Sequence, residues 1–208
     1  MADQYVDKDD LKAMIGLSGT SQDNNIDNAI NASSRQIDKY CNRVFWKTAS
    51  AEVKYFTPNN HWILQVPDIA NTTSLVIQLD TNDNGTYDTT LVENTDFYLL
   101  PINPKVIAVR DGNTYYEPYT EIRILDQKSN ERFDPKIIKN VKITAYWGFN
   151  VIPDAIKQAT LLQASRIWKR KDSPFSTYGN TDIGEQELFQ KFDPDAKNML
   201  MGYKKRSL

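Results

Sequence analysis

The chain has 208 residues and a formal net charge of -2, with 40% hydrophobic and 11% aromatic residues, four tryptophans, one cysteine and one histidine. That apolar content excludes a disordered chain and supports one domain, or one domain with an insertion, burying roughly 70% of its unfolded surface. A lone Cys41 excludes an internal disulfide, a lone His61 excludes zinc sites built on two histidines or a cysteine cluster, and near-neutral charge argues against a protein whose main work is gripping phosphates.

The opening "MADQYVDKDD" is acidic where a secretory signal is basic and then apolar, so no export is expected. No apolar run approaches the ~18 residues that span a bilayer, so no membrane partner is expected either. Around "DKDDLKAMIGL" acidic residues occupy a first helical turn, where the helix dipole favours them, and Leu11, Met14 and Ile15 share a face before Gly16. The stretch "SQDNNIDNAINASSRQIDKYCNRVF" spaces Ile26, Ile30, Ser33, Ile37, Tyr40 and Cys41 by threes and fours, which predicts a core-facing amphipathic helix with Cys41 as a small buried hydrophobe. From about residue 51 the period becomes two. "AEVKYFT", "WILQV", "SLVIQLD", "TYDTTLV", "DFYLL", "EIRIL" and "VKITAYW" are rich in β-branched and aromatic residues and are separated by Pro, Gly, Asn and Asp, as strands of an antiparallel sheet or small sandwich are.

The helical period returns at "GFNVIPDAIKQATLLQASRIWKRKDSPF". Pro153 and Asp154 start it, Ile156, Ala159, Leu162 or Gln163, and Ile167 line a face, and Asp172, Ser173 and Pro174 stop it. A short helix near "EQELFQ" is expected next, then a last one with Asp193 as cap and Pro194 as first residue. The predicted fold class is therefore α+β: a helical bundle built from residues 1–50 and 150–208, with an inserted antiparallel β segment, a small sheet or sandwich, over residues 51–149. The three segments carry 6 basic and 7 acidic, 10 and 7, and 9 and 13 groups respectively, so the C-terminal segment is the basic one.

Few residues carry recognisable chemistry. "DTNDNGTYD" offers oxygens from Asp80, Asn82, Asn84 and Asp88 in the manner of a calcium loop, with Gly85 at the sharp turn. Its twelfth position, however, is Leu91 where an EF-hand has a bidentate glutamate, and the flanks alternate like strands. Two readings stand: a plain hairpin turn with Gly85 at positive φ, and a weak structural Ca2+ site. No other cofactor is expected. His61 lies in a strand-like stretch with no nucleophile motif near it, no carboxylate pair is singled out, and the eight glycines never cluster into a phosphate loop. Lys169, Arg170 and Lys171 read either as a basic patch lining a channel or an interface, or as cations that favour a helix C-terminus. Tyr203, Lys204, Lys205 and Arg206 read either as a docking tail or as a frayed, solubilising end.

In order, "YVDKDDLKAMIGL", "IDNAINASSRQIDKYCNRVFW", "LDTNDNGTYDTTL", "DFYLLP", "YWGFNVIPDAIKQATLLQASRIWKRKDSPFS" and "DPDAKNML" resemble the head-tail connector (adaptor) proteins of tailed bacteriophages. The stretch from Tyr146 to Phe175 carries most of that resemblance, while asparagines at 82 and 84 depart from the aspartates common in relatives. The resemblance implies a non-catalytic structural virion protein, made in the cytoplasm of the bacterial host. It implies a homo-oligomeric ring, commonly of twelve subunits, between the capsid portal and the tail, stopper or tail-terminator protein. Double-stranded DNA would pass through its channel without sequence specificity, and the tail at Tyr203 to Arg206 would reach the portal. The alternative from another class is a calcium-assisted carbohydrate-binding or adhesion module, resting on the β segment and the Asp80 loop.

Overall fold

A computed structural model of the chain describes residues 4–171, 177–178, 186–187 and 192–205. The fold is α+β, helices with antiparallel sheets, in two compact units: Met1–Phe45 with Ile152–Ser207, and Trp46–Val151.

The first unit holds α1 (Lys8–Ile15), α2 (Asp23–Cys41), α3 (Asp154–Arg170) and α4 (Pro194–Leu200), the last running into a 3-10 turn, Met201–Tyr203. Helix α1 stops where Gly16 turns left-handed at φ 68° and α2 where Asn42 does so at φ 53°; each donates its N–H back to a carbonyl of the last turn. The α2 stripe is as spaced: Ile26, Ile30, Ser33, Ile37 and Cys41 are buried, with Ala29 and Ser34 beside them. Val6, Leu11, Ile26, Ile30 and Ala164 form one apolar cluster, flanked by Ile15, Leu17, Leu161 and Trp168. Met14 is exposed, against expectation, because eight residues of α1 give room for one buried anchor, Leu11. On α3 the buried position between Ala159 and Ala164 goes to Gln163 and not to Leu162. The Gln163 amide donates to Gln36 Oε1 at 2.7 Å and its carbonyl accepts the Asp193 N–H at 2.9 Å, so a polar side chain takes a core position by tying α2, α3 and α4 together. Asp193 caps α4 as expected, accepting the N–H groups of Asp195 and Ala196 at 2.9 and 3.1 Å, with Pro194 opening the helix. Of the stretch "EQELFQ", where a helix is expected, only Gln186–Glu187 is described, as a strand (β11) paired with Thr177–Tyr178 (β10); the rest of that expectation lies outside the described residues.

The second unit is built on two antiparallel sheets. One runs β1 (Glu52–Phe56), β9 (Val141–Ala145), β3 (Val76–Leu79), β4 (Thr89–Leu91); the other runs β2 (Ile63–Ile69), β8 (Tyr119–Ile124), β5 (Phe97–Leu100). Alternation decides which side chains go in. Along β9, Val141, Ile143 and Ala145 are buried while Lys142 and Thr144 are half-buried on the other face. Inward residues of both sheets, among them Leu64, Val66, Ile77, Leu79, Leu99, Ile122 and Ile143, share one core with Phe133 and Trp147. An additional hairpin, β6 (Val106–Arg110) with β7 (Asn113–Tyr116), has no counterpart among the predicted strands. Its signal is present in the sequence all the same: Asp111-Gly112 between two runs of strand formers.

Candidate functional site

Where the chain enters the second unit, at residues 46–48, and where it leaves, at 146–150, the two passes are laced together. Thr48 N–H donates to the Trp147 carbonyl at 2.9 Å, Trp147 N–H to Thr48 Oγ1 at 3.1 Å, and the Trp147 indole N–H to the Glu52 carbonyl at 2.9 Å. Gly148 follows at φ 102°, donating to the Asp68 carbonyl at 2.7 Å. A Cβ there would lie 1.8 Å from the Trp46 carbonyl oxygen, so only glycine fits. Asn150 closes the seam, its amide donating to the Ala70 carbonyl at 2.9 Å while its carbonyl accepts from the Asn71 amide at 2.7 Å. The Lys54 ammonium stands 4.5 Å from the Trp147 ring centroid, and burial pulls its pKa below the ordinary lysine value. The motif "YWGFN" is thus a structural clasp.

In the first unit the Tyr5 hydroxyl donates to Asp38 Oδ1 and accepts the Phe45 N–H at 2.9 Å, while its ring meets Phe45 edge-on at 5.8 Å. Asp38 also holds Arg35 at 2.9 Å. Burial, with the carboxylate of Asp38 beside it, pushes the Tyr5 hydroxyl far above its usual range; burial likewise pushes Asp38 up, against the opposing pull of Tyr5 and Arg35. Cys41 is fully buried and its thiol is pushed up to about 12 by that burial, as suits a packing residue and not a nucleophile.

Tyr203, Lys204 and Lys205 do not form a free arm. The Tyr203 ring meets Phe45 edge-on at 5.7 Å and its carbonyl accepts from Arg43 at 3.4 Å. Lys204 Nζ lies 5.3 Å from the Tyr40 ring centroid, and Lys205 N–H donates to the Cys41 carbonyl at 2.8 Å. These residues are packed along the end of α2, and Arg206 lies outside the described residues. At the end of α3, Lys171 curls back over the Trp168 ring at 3.9 Å and reaches Gln22 Oε1 at 3.4 Å. Of the three, Lys169 and Lys171 are both exposed and Arg170 is half-buried.

The Asp80 loop joins β3 to β4, with Leu79 opposite Thr89 and Gly85 at φ 77°. The Asp80 carboxylate is turned inward: Oδ1 accepts from the N–H groups of Asn82 and Asn84 at 3.2 and 3.3 Å, and Oδ2 from Gly85 at 2.7 Å. Burial raises the pKa of such a carboxyl, but the N–H donors together outweigh it and hold Asp80 below the ordinary value. Asn82 donates its amide to Asp88 Oδ2 at 3.2 Å, and Asn84 Oδ1 accepts the Thr86 N–H at 2.8 Å. The four residues meet in one loop, and oxygens of Asp80, Asn84 and Asp88 accept hydrogen bonds that close the turn on itself. Behind the loop, Tyr87 donates its hydroxyl to the Lys139 carbonyl at 2.7 Å and Asn140 donates to the Asp80 carbonyl at 2.8 Å. His61 is exposed, with Nδ1 2.7 Å from the Phe133 carbonyl.

Compared with known families, residues 4–123 match the model of a family described as head completion protein. That stretch takes in α1, α2 and the strands as far as β8; it stops short of residues 146–175, on which the resemblance leans most. No curated protein matches. Among solved structures, a chain of one described as the neck of an empty GTA particle computed with C6 symmetry superposes with a TM-score of 0.52 at 11% identity, covering 98% of this chain and 91% of that one. At that identity the likeness is one of fold.

Proposed function

The chain belongs to the head completion protein family, and from that premise we propose that it works as a ring at the head–tail junction, between portal and tail, extending the DNA channel. A structural role at that junction follows from the membership itself. The ring is the finer reading, and what supports it most is the family match over residues 4–123 joined to a fold likeness that runs over nearly the whole chain.

In this reading the helices of the first unit act as a bundle in the wall of a ring of about twelve copies, each meeting its neighbour through two different faces. The partners are further copies of the chain, the portal below, and the tail or its stopper above. A near-neutral subunit suits a channel, because a lining dense in lysine and arginine would hold DNA by counterion release. Lys169 and Lys171 are the exposed cations of their patch and would touch passing DNA lightly. In this reading the protein does no catalysis, which the burial of Cys41 with its raised pKa and the turn of the His61 ring toward a backbone carbonyl support. In this reading it works without metal and the Asp80 loop is a plain turn, which the loop N–H bonds to the Asp80 carboxylate support over the calcium-assisted carbohydrate alternative. It is made in the host cytoplasm and ends in the virion; among the described residues no helix is long and apolar enough to cross a membrane.

Negative-stain microscopy of the purified protein, alone and mixed with portal-bearing heads, tests this reading. Rings with a central hole, and decoration of the portal vertex, are expected. Monodisperse monomers in both preparations would end it.

A further inference from the structure

The β6–β7 hairpin is used by nothing above. Its turn residues, Asp111 and Gly112, sit at φ 50° and 75°, the left-handed pair that matches the twist of two flanking strands. Among the described residues β6 and β7 pair with each other and with no other strand, and a two-stranded ribbon is marginal in water unless something covers it. Its surface asks for cover. Val106 sits opposite Tyr116 and Val109 opposite Thr114, and Val106, Val109 and Tyr116 are 55%, 63% and 49% exposed. Ile102, on the approach to the hairpin, is exposed as well.

By their fractional exposure these four residues show water roughly 400 Å² of mostly apolar surface, in the range of a monomer's largest apolar patch, which is often functional. A stable pairwise interface takes about 800 Å² from each partner, so the hairpin alone does not hold a dimer; it suits one lobe of a contact repeated around a closed assembly. The same unit carries a second, unlike patch on the outer face of the four-stranded sheet. There Val53 and Val76 flank Thr144 in register, with Tyr55 two residues along β1, and all three large side chains are exposed. Two different apolar patches on one chain are what a head-to-tail contact needs; a two-fold dimer would need one patch complementary to itself.

We infer that the β6–β7 hairpin is an assembly arm whose Val106, Val109 and Tyr116 surface docks on the outer face of the four-stranded sheet of the next copy of this chain. The inference rests on the ring reading and names the contact that closes it. Full-length protein carrying Val109→Asp with Tyr116→Ser is compared with wild type by light scattering and microscopy over a range of concentrations up to ~1 mM. Both substitutions are on exposed positions, so the melting temperature of the monomer stays within about 2 °C of wild type. The expected result is at least a tenfold fall in the fraction assembled, and the same fall for Val53→Asp with Val76→Asp. In wild type, amide hydrogens of residues 106–116 exchange at least tenfold more slowly in the assembled form than in the monomer. A double variant that assembles like wild type, or hairpin amides that exchange equally in the two forms, overturns the arm while leaving the ring standing. A wild type that stays monomeric throughout overturns the ring and the arm together.

Discussion

Gly148→Ala isolates the closest backbone approach in the β unit. The new methyl would lie 1.8 Å from the Trp46 carbonyl oxygen and 2.8 Å from its carbon, and both are main-chain atoms held by the lacing of residues 46–48 to 146–150. Relief requires one pass of the chain to move, which loosens the Gly148 N–H bond to Asp68 and the Phe149 N–H bond to Trp46. Holding alanine at φ 102° costs about 1–3 kcal/mol, and each loosened bond about 1 kcal/mol. The sum is about 3–5 kcal/mol. At ~2–4 °C per kcal/mol for a chain of this size, the melting temperature falls by about 10 °C. Calorimetry and tryptophan fluorescence measure it, Trp46 and Trp147 being at the seam. Gly112→Ala is the control: φ is also positive, at 75°, but nothing lies within 4 Å of the added carbon, so only the backbone strain of about 1–2 kcal/mol remains. Equal losses for the two variants would refute the reasoning, because the clash is the one term that separates them.

Tyr203→Ala removes a ring packed on Phe45 and lowers the stability of the helical unit by about 1–2 kcal/mol in urea unfolding, whereas removal of residues 206–208 leaves it unchanged; the reverse order would restore a free tail. Calcium at millimolar concentration gives no binding heat and no shift in melting temperature with wild type, while Asp80→Ala melts lower with or without calcium; saturable heat would establish the cation site. The pH profile has two arms. Asp80 has a depressed pKa when folded, so its contribution is present above the ordinary carboxylate value of 3.8 and is lost as pH falls through and below it. Tyr5 and Cys41 have raised values, so their contributions are present below 10.0 and 9.0 and are lost as pH rises beyond those values. Tyr5→Phe removes the hydroxyl's bonds to Asp38, which keeps Arg35, and to the Phe45 N–H, so it is less stable at neutral pH but loses less between pH 10 and 12; an alkaline arm as steep as wild type's would contradict the assignment.

What could be read from the sequence divides along the range of the interaction that carries it. The α2 stripe, the Asp193–Pro194 start of α4, the positive φ of Gly85 and most strands depend on neighbours a few residues apart, and the pattern of residue types records such neighbours directly. Gly148 looks like any glycine after a strand until Trp46 is brought against it, and Tyr203 looks like a tail residue until Phe45 is beneath its ring. Gln163 over Leu162 is the same lesson inside a helix: periodicity offers both, and the choice is made by Gln36 and the Asp193 N–H, which a one-dimensional pattern cannot weigh. The Asp80 loop shows the limit from the other side. Its spacing of oxygens is legible, but the direction those oxygens face is set by the N–H groups of the turn, and that direction decides between a turn and a site. The hairpin at Asp111-Gly112 differs, because its signal is local and readable, while the exposure of Val106, Val109 and Tyr116 is not. Apolar side chains in a strand pattern announce burial without saying which surface covers them.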